Sequence, residues 1–249
     1  MGTLRRTVYK SLNAAIGPFG LELIPIGKPA YLRSFLPLKR TLRNAKEAGL
    51  SLCDYIDAKH QVPGATEATI NQLKGLDVLS SRTRNVCEIG PGSGRYLEKV
   101  LASCAPAKYE IYETAREWSD WLARTYSVRA CEADGQSLRQ TEDASMDLVH
   151  AHKVFVYIPS VVTFRYLNEM IRVSQTGGYI VFDIVSQSCM DDLTITKWNA
   201  GQSNYITMMP KEVVIGFFAK RHCSLLSCFH APLVPGSSEY LVFCKNRLS

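Results

Sequence analysis

The chain has 249 residues with 46% apolar content, enough for one large α/β domain or a domain with a small appendage, and it contains no uninterrupted apolar run long enough for a membrane span. Its formal charge of +6 sits at the start: residues 1–50 hold nine Lys or Arg against two acids, Glu22 and Glu47, while the remainder holds 20 against 21. These basic residues are not interleaved with an aromatic platform or a recognisable binding motif. That disfavours nucleic acid as a partner and leaves a solvated helix face or a weak membrane-surface contact through the basic N-terminus.

Met1 to Lys10 lacks the long apolar run of a secretory signal, and the eight cysteines contain no Cys-x-x-Cys pair, so a cytoplasmic location with cysteines as small core residues is expected. Along residues 1–80 the pattern is of helices and loops, interrupted by Gly17-Pro18, Gly27-Lys28-Pro29, Pro37 and Pro63-Gly64. Leu38 to Leu52 and Thr66 to Leu79 read as two helices. This region, 1–80, is expected to form an N-terminal helical cap on a main domain spanning 81–249.

After Arg84 short β-rich runs alternate with helical segments, the texture of a parallel sheet. Strands are expected at Asn85–Ile89, Lys108–Glu113, Val128–Glu132, Met146–Ala151 and Tyr179–Val185. Helices are expected at Arg95–Ser103, Ala115–Tyr126 and Val161–Ser174, the last stopping at Gly177-Gly178. Two further strands, near Leu225–Phe229 and Glu239–Lys245, are joined through Pro235-Gly236-Ser237. The fold class implied is α/β: a Rossmann-like, doubly wound, seven-stranded sheet ending in a β-hairpin.

The first strand runs into Glu88-Ile89-Gly90-Pro91-Gly92-Ser93-Gly94-Arg95-Tyr96, so its glycines lie at the carboxyl end of a strand, where open α/β sheets bind ligands. A dinucleotide fingerprint needs glycine where this chain has Arg95, and a P-loop needs a Lys-Ser/Thr ending that is missing. The remaining pattern, acidic-x-Gly-x-Gly-x-Gly, resembles motif I of class I S-adenosylmethionine-dependent methyltransferases, and the likeness extends over residues 85–245. It implies S-adenosyl-L-methionine as cofactor, with Gly90, Gly92 and Gly94 passing close to it. Glu113, at the end of the second strand, falls where an acid receives the ribose hydroxyls. Asp134 falls where the family contacts the adenine amino group, and Glu88 where an acid accepts from the loop backbone or steadies the cofactor's ammonium group.

Methyl transfer from a sulfonium is a direct displacement, so the protein aligns donor and acceptor, and a hydroxyl acceptor also needs a base. His150 and His152 lie on one side of the fourth strand; His152, further into the cleft, is the candidate base. A structural, hydrogen-bonded histidine is the alternative for both. Tyr157 stands where it would line the acceptor pocket. Asp183 with Asp191-Asp192 suggests magnesium, but the spacing is poor and no metal site is expected; His222, Cys223, Cys228 and His230 likewise lack zinc spacing. The N-terminal region, the segment Val154–Pro159 and the ending Pro232–Tyr240 together resemble bacterial methyltransferases that modify sugars or polysaccharides, which implies a saccharide hydroxyl as acceptor. The alternatives are a small-molecule or lipid methyltransferase and a non-catalytic cofactor-binding protein. Nothing in the sequence fixes the oligomeric state.

Overall fold

A computed structural model describes residues 36–60, 62–202 and 207–247, together with Leu12, 14–16 and Pro18. The chain divides into two compact units, residues 1–30 and residues 31–249, and the sheet with its helices lies in the second. Much of the first part of the cap expected over residues 1–80, including the break at Gly27-Lys28-Pro29, lies outside the described residues.

Three short helices come first: α1 (Leu38–Glu47), α2 (Leu52–His60) and α3 (Ala65–Gly75). The single helix expected over Leu38–Leu52 is broken. Gly49 takes φ +66°, which an L side chain resists, and α2 starts three residues later. The alternating part is β1 (Asn85–Ile89), α4 (Arg95–Cys104), β2 (Lys108–Tyr112), α5 (Arg116–Tyr126), β3 (Arg129–Ala130), β4 (Met146–Ala151), α6 (Ser160–Val173) and β5 (Ser174–Ile184). It is followed by α7 (Asp192–Asn199), α8 (Lys211–Ala219), β6 (Cys223–Leu233) and β7 (Gly236–Lys245).

The strands form one seven-stranded sheet in the order β3-β2-β1-β4-β5-β7-β6. Pairs from β3 to β5 are parallel, whereas β7 runs antiparallel between β5 and β6. The expected Rossmann-like α/β sheet with its terminal hairpin is therefore present. Three local expectations are corrected. The helix before β5 does not end at Gly177-Gly178: α6 passes into β5 at Ser174, and both glycines lie inside the strand. Gly178 is needed there because a Cβ would come within 2.8 Å of the Met146 carbonyl oxygen, beside the register shift between Met146 and Leu148. β3 is only two residues long, and α7 and α8 occupy a stretch that carried no helix signal.

Strand alternation separates two apolar layers. On one face Val86, Ile111, Leu148, Val181 and Val242 pack with Ile70 and Leu73 of α3, Leu97 and Val100 of α4 and Leu122 of α5. On the other, Cys87, Val149, Ile180, Phe182 and Phe243 pack with Leu167 and Met170 of α6 and Val214 and Phe218 of α8. All eight cysteines are free thiols and six of them are buried, in keeping with their small apolar role. No helix among the described residues is long and apolar enough to cross a membrane.

The early helices pack on the sheet domain through polar groups as well as apolar ones. The Arg95 guanidinium, at the start of α4, pairs with Asp57 of α2 at 2.7 Å and donates to Thr66 Oγ1 of α3 at 3.1 Å. Thr66 closes the triangle by donating from its hydroxyl to Asp57 at 2.7 Å. On the far side, Trp118 of α5 donates its indole N–H to the Leu36 carbonyl at 2.8 Å.

Candidate active site

The segment between β1 and α4 turns sharply on three glycines with positive φ, Gly90 at +62°, Gly92 at +55° and Gly94 at +79°. Their reasons differ. A Cβ at Gly90 would come within 2.7 Å of Val154 Cγ2, on the segment after β4, and one at Gly94 would collide with Leu122 Cδ2 of α5. Those two glycines let protein elements approach each other. Gly92 has nothing within 4 Å of its Cβ position, so only its left-handed backbone and the open space beside it call for glycine. A ligand can lie against the backbone there.

Glu113 closes over the same loop. One carboxylate oxygen accepts from the Gly92 amide and the other from the Ala115 amide, each at 2.8 Å. Glu88 has a different setting from the one expected: it is fully buried on the α4 face of β1 and accepts from the Tyr109 hydroxyl at 2.7 Å. Burial pushes its pKa up to about 8, despite the stabilising hydrogen bond from Tyr109. Asp134 shapes the turn after β3, accepting from the Gln136 and Ser137 amides at 2.9 and 2.8 Å and from the Ser137 hydroxyl at 2.7 Å. Burial alone would raise its pKa, but these hydrogen bonds outweigh burial and hold it below the ordinary value.

Register explains how the acids meet the histidines. Glu88 of β1 lies beside His150 of β4, and Tyr109 of β2 reaches both. The Tyr109 hydroxyl is 3.1 Å from His150 Nε2, so carboxyl, phenol and imidazole form one buried chain. Burial drives the His150 pKa down to about 3 and leaves the ring neutral.

His152 lies just beyond β4, with its ring centroid 4.9 Å from that of His150. Tyr96 of α4 stacks on it at 3.8 Å with an interplanar angle of 11°. Its Nδ1 is 3.0 Å from the Tyr240 hydroxyl, which in turn donates to the Tyr96 hydroxyl at 3.3 Å. Because Tyr240 has one proton and gives it to Tyr96, its oxygen accepts the Nδ1–H, and the lone pair of the neutral ring is on Nε2. Burial, the His150 ring and the positive charges of Arg95 and Lys153 all push the His152 pKa well down. Its Nε2 is buried and has no protein partner.

Lys153, the next residue, takes φ +56° and is buried. Its amide donates to Asp183 Oδ1 at 2.7 Å. The ammonium donates to Ser238 Oγ at 2.5 Å and lies 3.2 Å from Asp183 Oδ2. A non-glycine residue held in this conformation costs roughly 1–3 kcal/mol, and here the buried pair and the β5–β7 register hold it. Asp183 is thus committed to Lys153. Asp191 caps α7 by accepting from the Thr194 amide at 2.7 Å, and no group of three potential metal ligands occurs among the described residues.

Sequence reasoning selected the glycines, Glu88, Glu113 and His152, and the fold brings these to the carboxyl edges of β1, β2 and β4. It missed Tyr96 and Tyr240, which set the His152 ring, and the Lys153–Asp183 pair. Tyr96 stood in the glycine segment already singled out. Tyr240 closed the segment Pro232–Tyr240, but its pairing with a histidine 88 residues away carried no local signal.

Residues 87–182 match the family model described as a methyltransferase domain. No curated protein matches. Among solved structures, the chain is similar to the magnesium protoporphyrin IX methyltransferase of Synechocystis PCC 6803 with bound SAH, with TM-score 0.57, 10% identity, and coverage of 97% of this chain and 100% of that one. It is also similar to the N-methyltransferase NodS of Bradyrhizobium japonicum WM9 in complex with S-adenosyl-L-homocysteine, with TM-score 0.56, 16% identity, and coverage of 83% and 99%. An O-methyltransferase family protein of Burkholderia thailandensis gives TM-score 0.56 at 15% identity, over 97% of this chain and 71% of that one. At these identities the likeness is one of fold.

Proposed function

We propose that this protein is an S-adenosylmethionine-dependent methyltransferase that methylates a hydroxyl of a saccharide or glycoconjugate. The observation that carries the cofactor assignment is the loop at Gly92: a left-handed glycine with open space at its Cβ position, its amide held by Glu113 at the end of the neighbouring strand. The cofactor would lie on the backbone at Gly92, in a loop that Gly90 and Gly94 shape by letting Val154 and Leu122 close in, while Glu113 would receive the ribose hydroxyls and Asp134 would face the adenine. The bound cofactor supplies a methyl group activated by a sulfonium. Glu88 does not reach the loop through its carboxyl in this arrangement; buried against Tyr109, it orders the histidine pair beneath the site.

His152 is proposed as the group that accepts the acceptor's proton. In its favour stand a neutral ring, a fixed orientation and an Nε2 lone pair without a partner. Because that atom is sealed from solvent, an acceptor reaches it only when the neighbouring side chains part. The helices α1–α3, of which α2 and α3 are tied to α4 through Asp57, Thr66 and Arg95, would cap the cleft and select the acceptor. The saccharide preference rests on the resemblance of the N-terminal region and of segments 154–159 and 232–240 to bacterial sugar methyltransferases.

Calorimetric titration with S-adenosylhomocysteine tests the cofactor assignment. Micromolar binding that weakens more than about tenfold, roughly 1.4 kcal/mol, in Glu113→Ala is expected. Absence of binding by the native protein would sink the proposal. For the acceptor, a screen of mono- and oligosaccharides with radiolabelled cofactor should give an alkali-stable methyl ether, and incorporation only into amines would refute O-methylation.

A further inference from the structure

Two buried ring nitrogens, His150 Nδ1 and His152 Nε2, have no protein partner, and their rings lie 4.9 Å apart between centroids. One unpartnered buried nitrogen is costly, and two on neighbouring rings demand a reason. The state of His152 is fixed by Tyr240, which receives Nδ1–H and leaves the lone pair on Nε2. Which nitrogen of His150 carries the proton depends instead on the far end of its own hydrogen-bonded chain.

That chain runs from Glu88 Oε2 through the Tyr109 hydroxyl to His150 Nε2, in steps of 2.7 and 3.1 Å, and all three side chains are buried. Tyr109 brings one proton, so it donates to one neighbour and accepts from the other. With Glu88 ionised, the phenol donates to the carboxylate and accepts His150 Nε2–H, which leaves a lone pair on Nδ1. With Glu88 protonated, the carboxyl donates to the phenol and the phenol to Nε2, so the proton of His150 is on Nδ1. A buried carboxyl O–H aimed elsewhere would forfeit the acceptor that Tyr109 offers. Passing from the second state to the first moves the carboxyl proton to the phenol oxygen and the phenol proton to Nε2, while the Nδ1 proton leaves.

Burial, with a smaller push from Glu113, holds the Glu88 proton up to about pH 8, and burial keeps the His150 ring neutral down to about 3. The other groups around the chain and the His152 ring are Tyr96 and Arg95 of α4, Lys153 after β4 and Tyr240 of β7. Arg95 is paired with Asp57 and Lys153 with Asp183, and α3 and α5 meet this face through the apolar Ile70, Leu73 and Leu122.

We propose that Glu88 and Tyr109 are positioning residues for His152: the proton of Glu88, relayed by Tyr109, decides whether His150 offers its neighbour an N–H or a lone pair. The use made of His152 rests on the methyltransferase reading. Once His152 has taken the acceptor's proton, its Nε2 is a donor, and only the lone-pair form of His150 can receive it. Ionising Glu88 therefore strengthens the base, by turning a neighbouring donor into an acceptor and by placing a buried negative charge on the same chain.

The test is a long-range 1H–15N correlation spectrum of the full-length protein labelled with 15N-histidine, followed from about pH 6 to 9.5, with His150 assigned through His150→Gln. His150 is expected to pass from the Nδ1–H to the Nε2–H form with a midpoint at about 8, while His152 stays Nδ1–H. In Glu88→Gln and in Tyr109→Phe, His150 should keep one tautomer throughout. A fixed His150 tautomer in the native protein, or a change that persists in Tyr109→Phe, would overturn the inference, and the native spectrum decides it alone where a variant fails to fold. With an acceptor in hand, native turnover should rise with pH to a plateau above about 8, and a rise retained in Glu88→Gln would equally overturn it. Failure to bind S-adenosylhomocysteine would refute the methyltransferase reading instead, and the spectrum would still decide the proton chain.

Discussion

Alanine at Gly92 and alanine at Gly94 should damage the protein in opposite ways, although both glycines stand in one loop with positive φ. Forcing an L residue into the left-handed region costs roughly 1–2 kcal/mol at either position. At Gly94 the new methyl would also collide with Leu122 Cδ2 in the contact between α4 and α5, and overpacking of this kind adds about 1–3 kcal/mol. Gly94→Ala should therefore lose roughly 2–5 kcal/mol of stability, and Gly92→Ala only the backbone part, about 1–2 kcal/mol. Binding should rank them in reverse. The methyl at Gly92 projects into the space assigned to the cofactor, so once the folded fraction is accounted for, S-adenosylhomocysteine affinity should fall at least about tenfold, roughly 1.4 kcal/mol. Urea unfolding gives the first quantity and calorimetry on folded protein the second. A Gly92→Ala protein that binds with native affinity would show that the open space beside Gly92 is not where the cofactor lies.

The buried ionisable groups set a pH signature. His150 is held down to about 3, so stability should rise from about pH 3 to 6.5 as the unfolded chain gives up the proton that the folded ring never takes; His152 acts in the same direction. Glu88, raised from 4.5 to about 8, works oppositely: the folded state keeps its proton longer than the unfolded one, so its contribution falls from about pH 4.5 to 8 and leaves a net decline above about pH 6.5, where the histidine contribution has levelled off. Glu88→Gln should remove that decline, and an unchanged decline in chemical denaturation would show that its cause lies elsewhere. Tyr240→Phe leaves His152 Nδ1 without its partner and should lower turnover about ten- to a hundredfold while S-adenosylhomocysteine affinity stays native; a proportional loss of both would assign Tyr240 to packing alone. Asp57→Ala leaves the Arg95 guanidinium, whose side chain is 9% exposed, without its carboxylate, and should cost about 3–5 kcal/mol in urea unfolding; a loss under about 1 kcal/mol would mean that solvent or other groups compensate.

The parts of the fold legible in the sequence were those governed by local chemistry. β1 and β4 were read to the residue because short runs rich in apolar residues, bounded by turn signals, leave few alternatives. The glycine loop was legible because Gly90, Gly92 and Gly94 follow one strand and open one helix. Local chemistry also misled: Gly177 and Gly178 look like a helix stop, yet Gly178 answers to the Met146 carbonyl on the neighbouring strand. Helix α7 was invisible because it buries so little that no apolar period marks it.

The sequence by itself determined the succession of the strands and of helices α4 to α6, the glycine turn and the presence of acids at strand ends, since each of these depends on residues within a few positions of one another. Only the tertiary structure decided which of those acids meets the loop, that Glu88 turns to Tyr109 and His150, that His152 is clamped between Tyr96 and Tyr240, and that Lys153 is paired with Asp183. The physical reason is that alternation along a strand tells which face a side chain takes, whereas its partners come from other strands and helices. Their identity depends on sheet order and register, which are set by how the whole apolar core packs.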